Sequence, residues 1–192
     1  MPVDASTLRP MPHPATPRLA PLSTEEMSDD QRALFDASPP LNIFATLVRH
    51  PGLYRHWAPF GGKLLRGSKL SDRDRELVIL RTAYRCDATY EWGQHVAIAR
   101  EAGISDEEIR RVAAGPDVQG WSTEDAALLR AVDELQDQHC ISDATWASLA
   151  DRYDEKQMIE LPMLSGHYAL LAGALNSFGV QPESPLPALG EA

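Results

Sequence analysis

Apolar residues recur every three or four positions through the middle of the chain, bracketed by polar ones, and that spacing predicts helices. Start signals support it. Ser28 precedes Gln31, Ser71 precedes Asp74, Ser105 precedes Glu108, Ser122 precedes Asp125, and Asp154 precedes Gln157. Each is a capping residue followed three positions later by an acid or amide that answers the free N–H groups of a first turn. Asn42 and Ser142 read as simpler caps, and Pro51 suits a first helical position. Gly67, Gly103, Gly115 and Gly179 read as stops, suited to the left-handed residue after a helix. Helices are expected near 28–37, 42–49, 51–66, 71–85, 88–102, 105–114, 122–139, 142–152 and 155–177. Pro162 is expected to kink the last or to mark its true beginning. No alternating strand pattern appears, so the fold class is all-α, a compact bundle of eight or nine helices.

Two helices break the plain amphipathic pattern. In 71–85, Leu77, Ile79, Leu80, Ala83 and Tyr84 form one apolar arc, with Asp74, Arg81 and Arg85 opposite. Glu76 falls near the middle of that arc, where a carboxylate is costly unless paired or protonated. In 88–102 the apolar face is Ala88, Trp92, Val96, Ala99 and Ala102, with Thr89, Gly93, Arg100 and Glu101 away from it. His95 is central on this face and Glu91 is at its edge, one turn earlier, so the two side chains are placed to meet. The break between the helices is expected at Cys86-Asp87, with Asp87 as cap, and so tight a junction brings Glu76 toward His95. A lone histidine on an apolar face is ordinarily a core residue, and a lone edge glutamate ordinarily an ion-pair partner. Three titratable groups converging on one helix pair is less common, and perturbed groups cluster at working sites. His167 shares a face with Leu164 and Leu171, where structural and pocket roles are equally open.

Composition narrows the classes. The 192 residues carry 28 acidic and 18 basic side chains, a formal charge of −10, which argues against phosphate-backbone binding. No apolar run approaches a membrane span, and no signal-peptide pattern opens the chain, so a soluble cytoplasmic protein is the expectation. The 2 cysteines, Cys86 and Cys140, are too few for a disulfide scaffold. Prolines crowd both ends. They suggest an extended arm over 1–22 and a tail over 181–192, disordered or laid along a neighbouring subunit, around one domain over 23–180.

The run Arg75-Glu76-Leu77-Val78-Ile79-Leu80-Arg81, then Tyr90-Glu91-Trp92-Gly93-Gln94-His95 and Ala99-Arg100, resembles the carboxymuconolactone decarboxylase family, which includes the alkyl hydroperoxide reductase D-like peroxidases. The likeness is strongest over 71–115 and looser from Asn42 to Lys63 and on to Phe178. The peroxidase branch carries a Glu on the first helix, a Cys-x-x-Cys opening the second, and a His one turn on. By position these fall on Glu76, on Ala88 and Glu91, and on His95, so both thiols are missing. Cys86 has no partner at the required spacing, and a dithiol peroxidase cycle is not expected.

The remaining likeness is to the dithiol-free branch. It implies small helical subunits in a homo-oligomer, a trimer or hexamer with a dimer as the other option. It also implies no metal or organic cofactor and, as substrate, a small carboxylated lactone or related product of aromatic catabolism. On that reading His95 is the proton donor or base, and Glu91 orients it or holds its charge. Glu76 is an acid or bonds the histidine, and Tyr90 and Trp92 line the pocket or simply pack. Three alternatives stand beside it: another cofactor-free lyase or isomerase on a small carbonyl acid, a non-catalytic binding or structural member, and a metal site built from Glu76, Glu91 and His95.

Overall fold

The computed structural model describes residues 13–192. Among the described residues the chain forms nine helices and no strand. They are α1 (Asp29–Asp36), α2 (Asn42–Leu47), α3 (Pro51–Arg66), α4 (Asp72–Arg85), α5 (Thr89–Glu101), α6 (Asp106–Ala114), α7 (Thr123–Gln138), α8 (Asp143–Ala150) and α9 (Glu155–Phe178). The capping logic accounts for most of these boundaries. Ser28, Ser105 and Asp154 form reciprocal capping boxes with Gln31, Glu108 and Gln157. Ser71, Ser122 and Ser142 cap α4, α7 and α8 through their hydroxyls.

Four expectations are corrected. Leu41, not Asn42, caps α2; Asn42 is its first residue, and its amide donates to the Gln181 carbonyl at 3.0 Å. Ala88, not Asp87, caps α5, because Asp87 turns the chain with a positive φ of 52°. Gly67 ends α3 at φ −119°, outside the left-handed region that Gly103, Gly115 and Gly179 occupy. Helix α9 starts at Glu155 and runs through Pro162, so the proline does not mark its beginning.

Helix α4 is the hub. Every residue from Asp74 to Ala83 is buried, and the helix packs against α5, α6, α7 and α9. Leu77, Ile79 and Leu80 meet Trp92, Ile109, Leu128, Leu129, Leu161 and Leu164 in the main core. Asp74 and Arg81, expected on the outer side, are therefore buried too, and each is paired. Asp74 receives Arg152 at 2.7 Å. Arg81 grips both oxygens of Asp133 at 2.7 and 2.8 Å and donates to the Val112 and Ala113 carbonyls at 2.8 and 3.0 Å. Buried charges persist only with such partners. A second cluster of Ile43, Tyr90, Leu171, Leu175 and Val180 joins α2, α5 and α9.

Both proline-rich ends lie on their own chain where described. Arg18 and Leu19 donate backbone N–H groups to the Phe178 carbonyl, and Leu22 to that of Ala45. Pro2, Pro10 and Pro12 lie outside the described residues. The tail crosses α5, where Leu186 covers Gly93 so closely that a Cβ there would stand 2.6 Å from the leucine Cβ. That contact buries Gly93, which was expected to face outward.

Candidate functional site

Helices α1, α2, α3, α5 and α9 enclose a cavity of about 540 Å³. Its walls are mainly apolar and aromatic, among them Phe44, Tyr54, Trp57, Leu65 and Ile98. The polar groups that reach it come chiefly from α5 and α9: Tyr90, Glu91, Gln94, His95, His167 and Tyr168. This is the usual composition of a small-molecule site, with a few polar groups in an apolar shell.

His95 is anchored from behind. Its Nδ1 lies 2.7 Å from Glu76 Oε2, and the other oxygen of Glu76 accepts from Arg75 Nε at 3.0 Å. Glu76 is completely buried, and Arg75 in turn bonds Asp72. A carboxylate held by a guanidinium fixes the proton of the imidazole on Nδ1, leaving Nε2 as the nitrogen free to exchange one. The edge of Tyr168 packs against the ring, centroids 5.1 Å apart. The expected approach of Glu76 to His95 across the helix junction is thus present.

Glu91 takes a different part from the one expected. It lines the cavity one turn before His95, yet neither carboxyl oxygen has a hydrogen-bond partner. Glu76, not Glu91, orients the histidine. Burial alone raises the Glu91 pKa well above the ordinary carboxylate range, which favours a neutral carboxylic acid in the cavity wall. Such a group offers a proton, which an ionised edge residue does not.

Tyr90 and Trp92 separate. Tyr90 lines the cavity, but its hydroxyl donates to Glu183 at 2.8 Å and accepts from the Ile43 amide. Trp92 is fully buried on the other side of α5, against Tyr84, with its indole N–H on the Glu191 carbonyl at 2.8 Å. Trp92 is a packing residue and the pocket-lining expectation for it is corrected.

Three lining groups escaped the sequence reading or stayed undecided in it. His167 stands in the wall, stacked on Trp57 with ring planes 16° apart. Tyr168 is shared by both histidines. Arg66 lies at the rim and, among the described residues, forms no ion pair, whereas Arg55 is held by Asp30. The His167-Tyr168 pair on the apolar face of the last helix was visible in sequence. Which cavity it faced depended on how α9 meets α3.

Both cysteines are free thiols. Burial pushes the Cys86 thiol up to about 11, the opposite of an activated nucleophile. Among the described residues no group of three or more His, Cys, Asp or Glu side chains is disposed to hold a metal ion, and Glu76 is already committed to Arg75 and His95.

The chain thus combines an all-α fold with a Glu–His pair across a helix junction beside a mainly apolar cavity. Residues 51–134 match the carboxymuconolactone decarboxylase family. No curated protein matches the chain. Among solved structures, an uncharacterized peroxidase-related protein from Silicibacter sp. TM1040 is similar over 92% of this chain and 96% of its own, at 12% identity and TM-score 0.76. An alkylhydroperoxidase AhpD-core, peroxidase-related protein from Ralstonia eutropha JMP134 is similar over 86% and 93%, at 17% identity and TM-score 0.73. A putative antioxidant defence protein AhpD from Agrobacterium tumefaciens is similar over 71% and 94%, at 16% identity and TM-score 0.66. At such identities the likeness is one of fold. The fold over most of the chain is that of these AhpD-like structures, and the family match covers residues 51–134.

Proposed function

We propose that the cavity carries out cofactor-independent acid–base chemistry of the carboxymuconolactone decarboxylase type, on a small carboxylated lactone or a related product of aromatic ring cleavage. The observation that carries this reading is His95, fixed at Nδ1 by the buried Glu76 in the wall of an apolar cavity. In the proposed step the bond from the substrate carbon to its carboxylate breaks and CO2 leaves. The electron pair enters the unsaturated lactone as a dienolate, and the imidazolium of His95 then delivers its Nε2 proton to carbon. Glu76 holds the positive ring before that transfer, and the neutral Glu91 carboxyl donates a hydrogen bond to dienolate oxygen. One solvent proton restores His95. Arg66 at the rim offers a cation to the incoming carboxylate.

A dithiol peroxidase cycle is not proposed, because Ala88 and Glu91 stand where it needs its thiols. The site is read as that of a homo-oligomer, a trimer or hexamer. Ile159, Met163 and Leu170 expose an apolar face of α9 that a second copy would cover, and sedimentation of the full chain checks this.

The test is turnover of carboxymuconolactone and related lactones by wild type and His95→Ala. Loss of turnover in a variant that keeps wild-type helicity and assembly is expected. An unchanged rate in His95→Ala overturns the proposal.

A further inference from the structure

The proposed chemistry leaves a second buried imidazole in the cavity wall, His167, unexplained. His167 lies only 8% exposed among aromatic rings, stacked on Trp57 at 5.9 Å and edge-on to Phe60 and Tyr168, both at 5.4 Å. Buried histidines ordinarily bond a carbonyl or carboxylate. Here, among the described residues, neither ring nitrogen has a hydrogen-bond partner, and desolvation is the only influence on its protonation. That influence lowers its pKa, so the ring is a neutral imidazole with one donor and one acceptor.

The surroundings hold the ring in place in the cavity wall. Gly61 on α3 lies directly against it, and a Cβ there would stand 2.9 Å from His167 Nε2. Any larger residue would push the imidazole aside. Tyr168 fixes the ring relative to the catalytic end, because its centroid is 5.1 Å from that of His95 and 5.4 Å from that of His167. One five- or six-membered ring lying along Tyr168 would meet both histidines.

We propose that His167 is a second ligand-binding group of the cavity, which hydrogen-bonds an uncharged oxygen of the bound ring, a lactone or ketone carbonyl, while the ligand's carboxylate lies toward His95 and Arg66. This rests on the reading of the cavity as a substrate site and specifies its ligand as a planar ring with two oxygen functions. A carboxylate is excluded at the His167 end because a neutral ring among aromatics offers it no charge.

The test measures binding rather than turnover. Calorimetric titration of the full-length protein compares a butenolide acetate, which has a carboxylate and a lactone carbonyl, with cyclopentenylacetate, which has the same carboxylate and ring size but no ring oxygen. Wild type should prefer the butenolide by roughly 3- to 10-fold, the equivalent of one hydrogen bond. His167→Phe, which keeps the aromatic packing, should lose that preference with no change toward cyclopentenylacetate. His167→Gln should recover part of it. Gly61→Ala should weaken it with His167 still present, which separates ligand contact from folding. A wild type without the preference, or a His167→Phe variant that retains it, overturns the proposal. Turnover by His95→Ala judges the reaction separately, since the preference in binding does not depend on proton transfer.

Discussion

At the scale of single residues the site is two glutamates in opposite states. Glu76 is anchored by Arg75 and His95, and Glu91 has burial and no partner. Glu76→Gln should lower turnover by on the order of 100-fold or more while binding persists, because the amide no longer holds a charged imidazole. The kcat and KM measured separately check it. For Glu91 the sign follows from burial. Its folded pKa is raised, so at pH above its unfolded value the unfolded chain has released a proton that the folded chain keeps. Glu91 therefore costs stability as pH rises. Glu91→Gln lacks this cost, and its stability relative to wild type should grow by up to about 1.4 kcal/mol per pH unit from near pH 4.5 until the folded group ionises. Urea unfolding at pH 4, 6 and 8 reads this, and a constant difference would show that Glu91 is ionised in the fold. Glu76 and His95 were legible in sequence because both interrupt apolar faces. The choice of partner was not, since both Glu91, by i,i+4 spacing, and Glu76, across the junction, were placed to meet His95, and the packing of α4 against α5 selected Glu76.

At the scale of elements the sequence reads well where boundaries are local chemistry. The capping boxes of α1, α6 and α9 follow directly from residue spacing. Asp154→Ala should cost about 1 kcal/mol and lower the melting temperature by about 2–4 °C. The cap of α5 failed to follow because Asp87 takes a left-handed turn that only the junction geometry requires. The tail is held by a contact with no sequence signal, Leu186 on Gly93. Gly93→Val should displace it, seen as faster trimming of the C-terminus by carboxypeptidase, with the Trp92–Glu191 bond lost along with it.

At the scale of the molecule α4 organises everything, and its buried charges are structural. Arg81 ties α4 to α7 and to the end of α6. Arg81→Met should destabilise by about 2–3 kcal/mol, less than for a pair that leaves its partner stranded, because Asp133 keeps Arg85 at 3.2 Å. The cavity exists only at this scale. It needs α3, α5 and α9 at their relative angles before Trp57, His95 and His167 share one space.

The sequence by itself determined the helix class, nearly every helix boundary, the absence of a thiol pair and the two anomalous polar residues, Glu76 and His95. These are properties of spacing along one chain, and helical geometry makes spacing legible. Only the tertiary structure decided which glutamate holds His95, that Glu91 is alone, that Trp92 faces the core and that His167 faces the cavity. Each depends on which face of a helix meets which neighbour. For a helix buried on all sides, as α4 is, apolar periodicity no longer tells the inward face from the outward one.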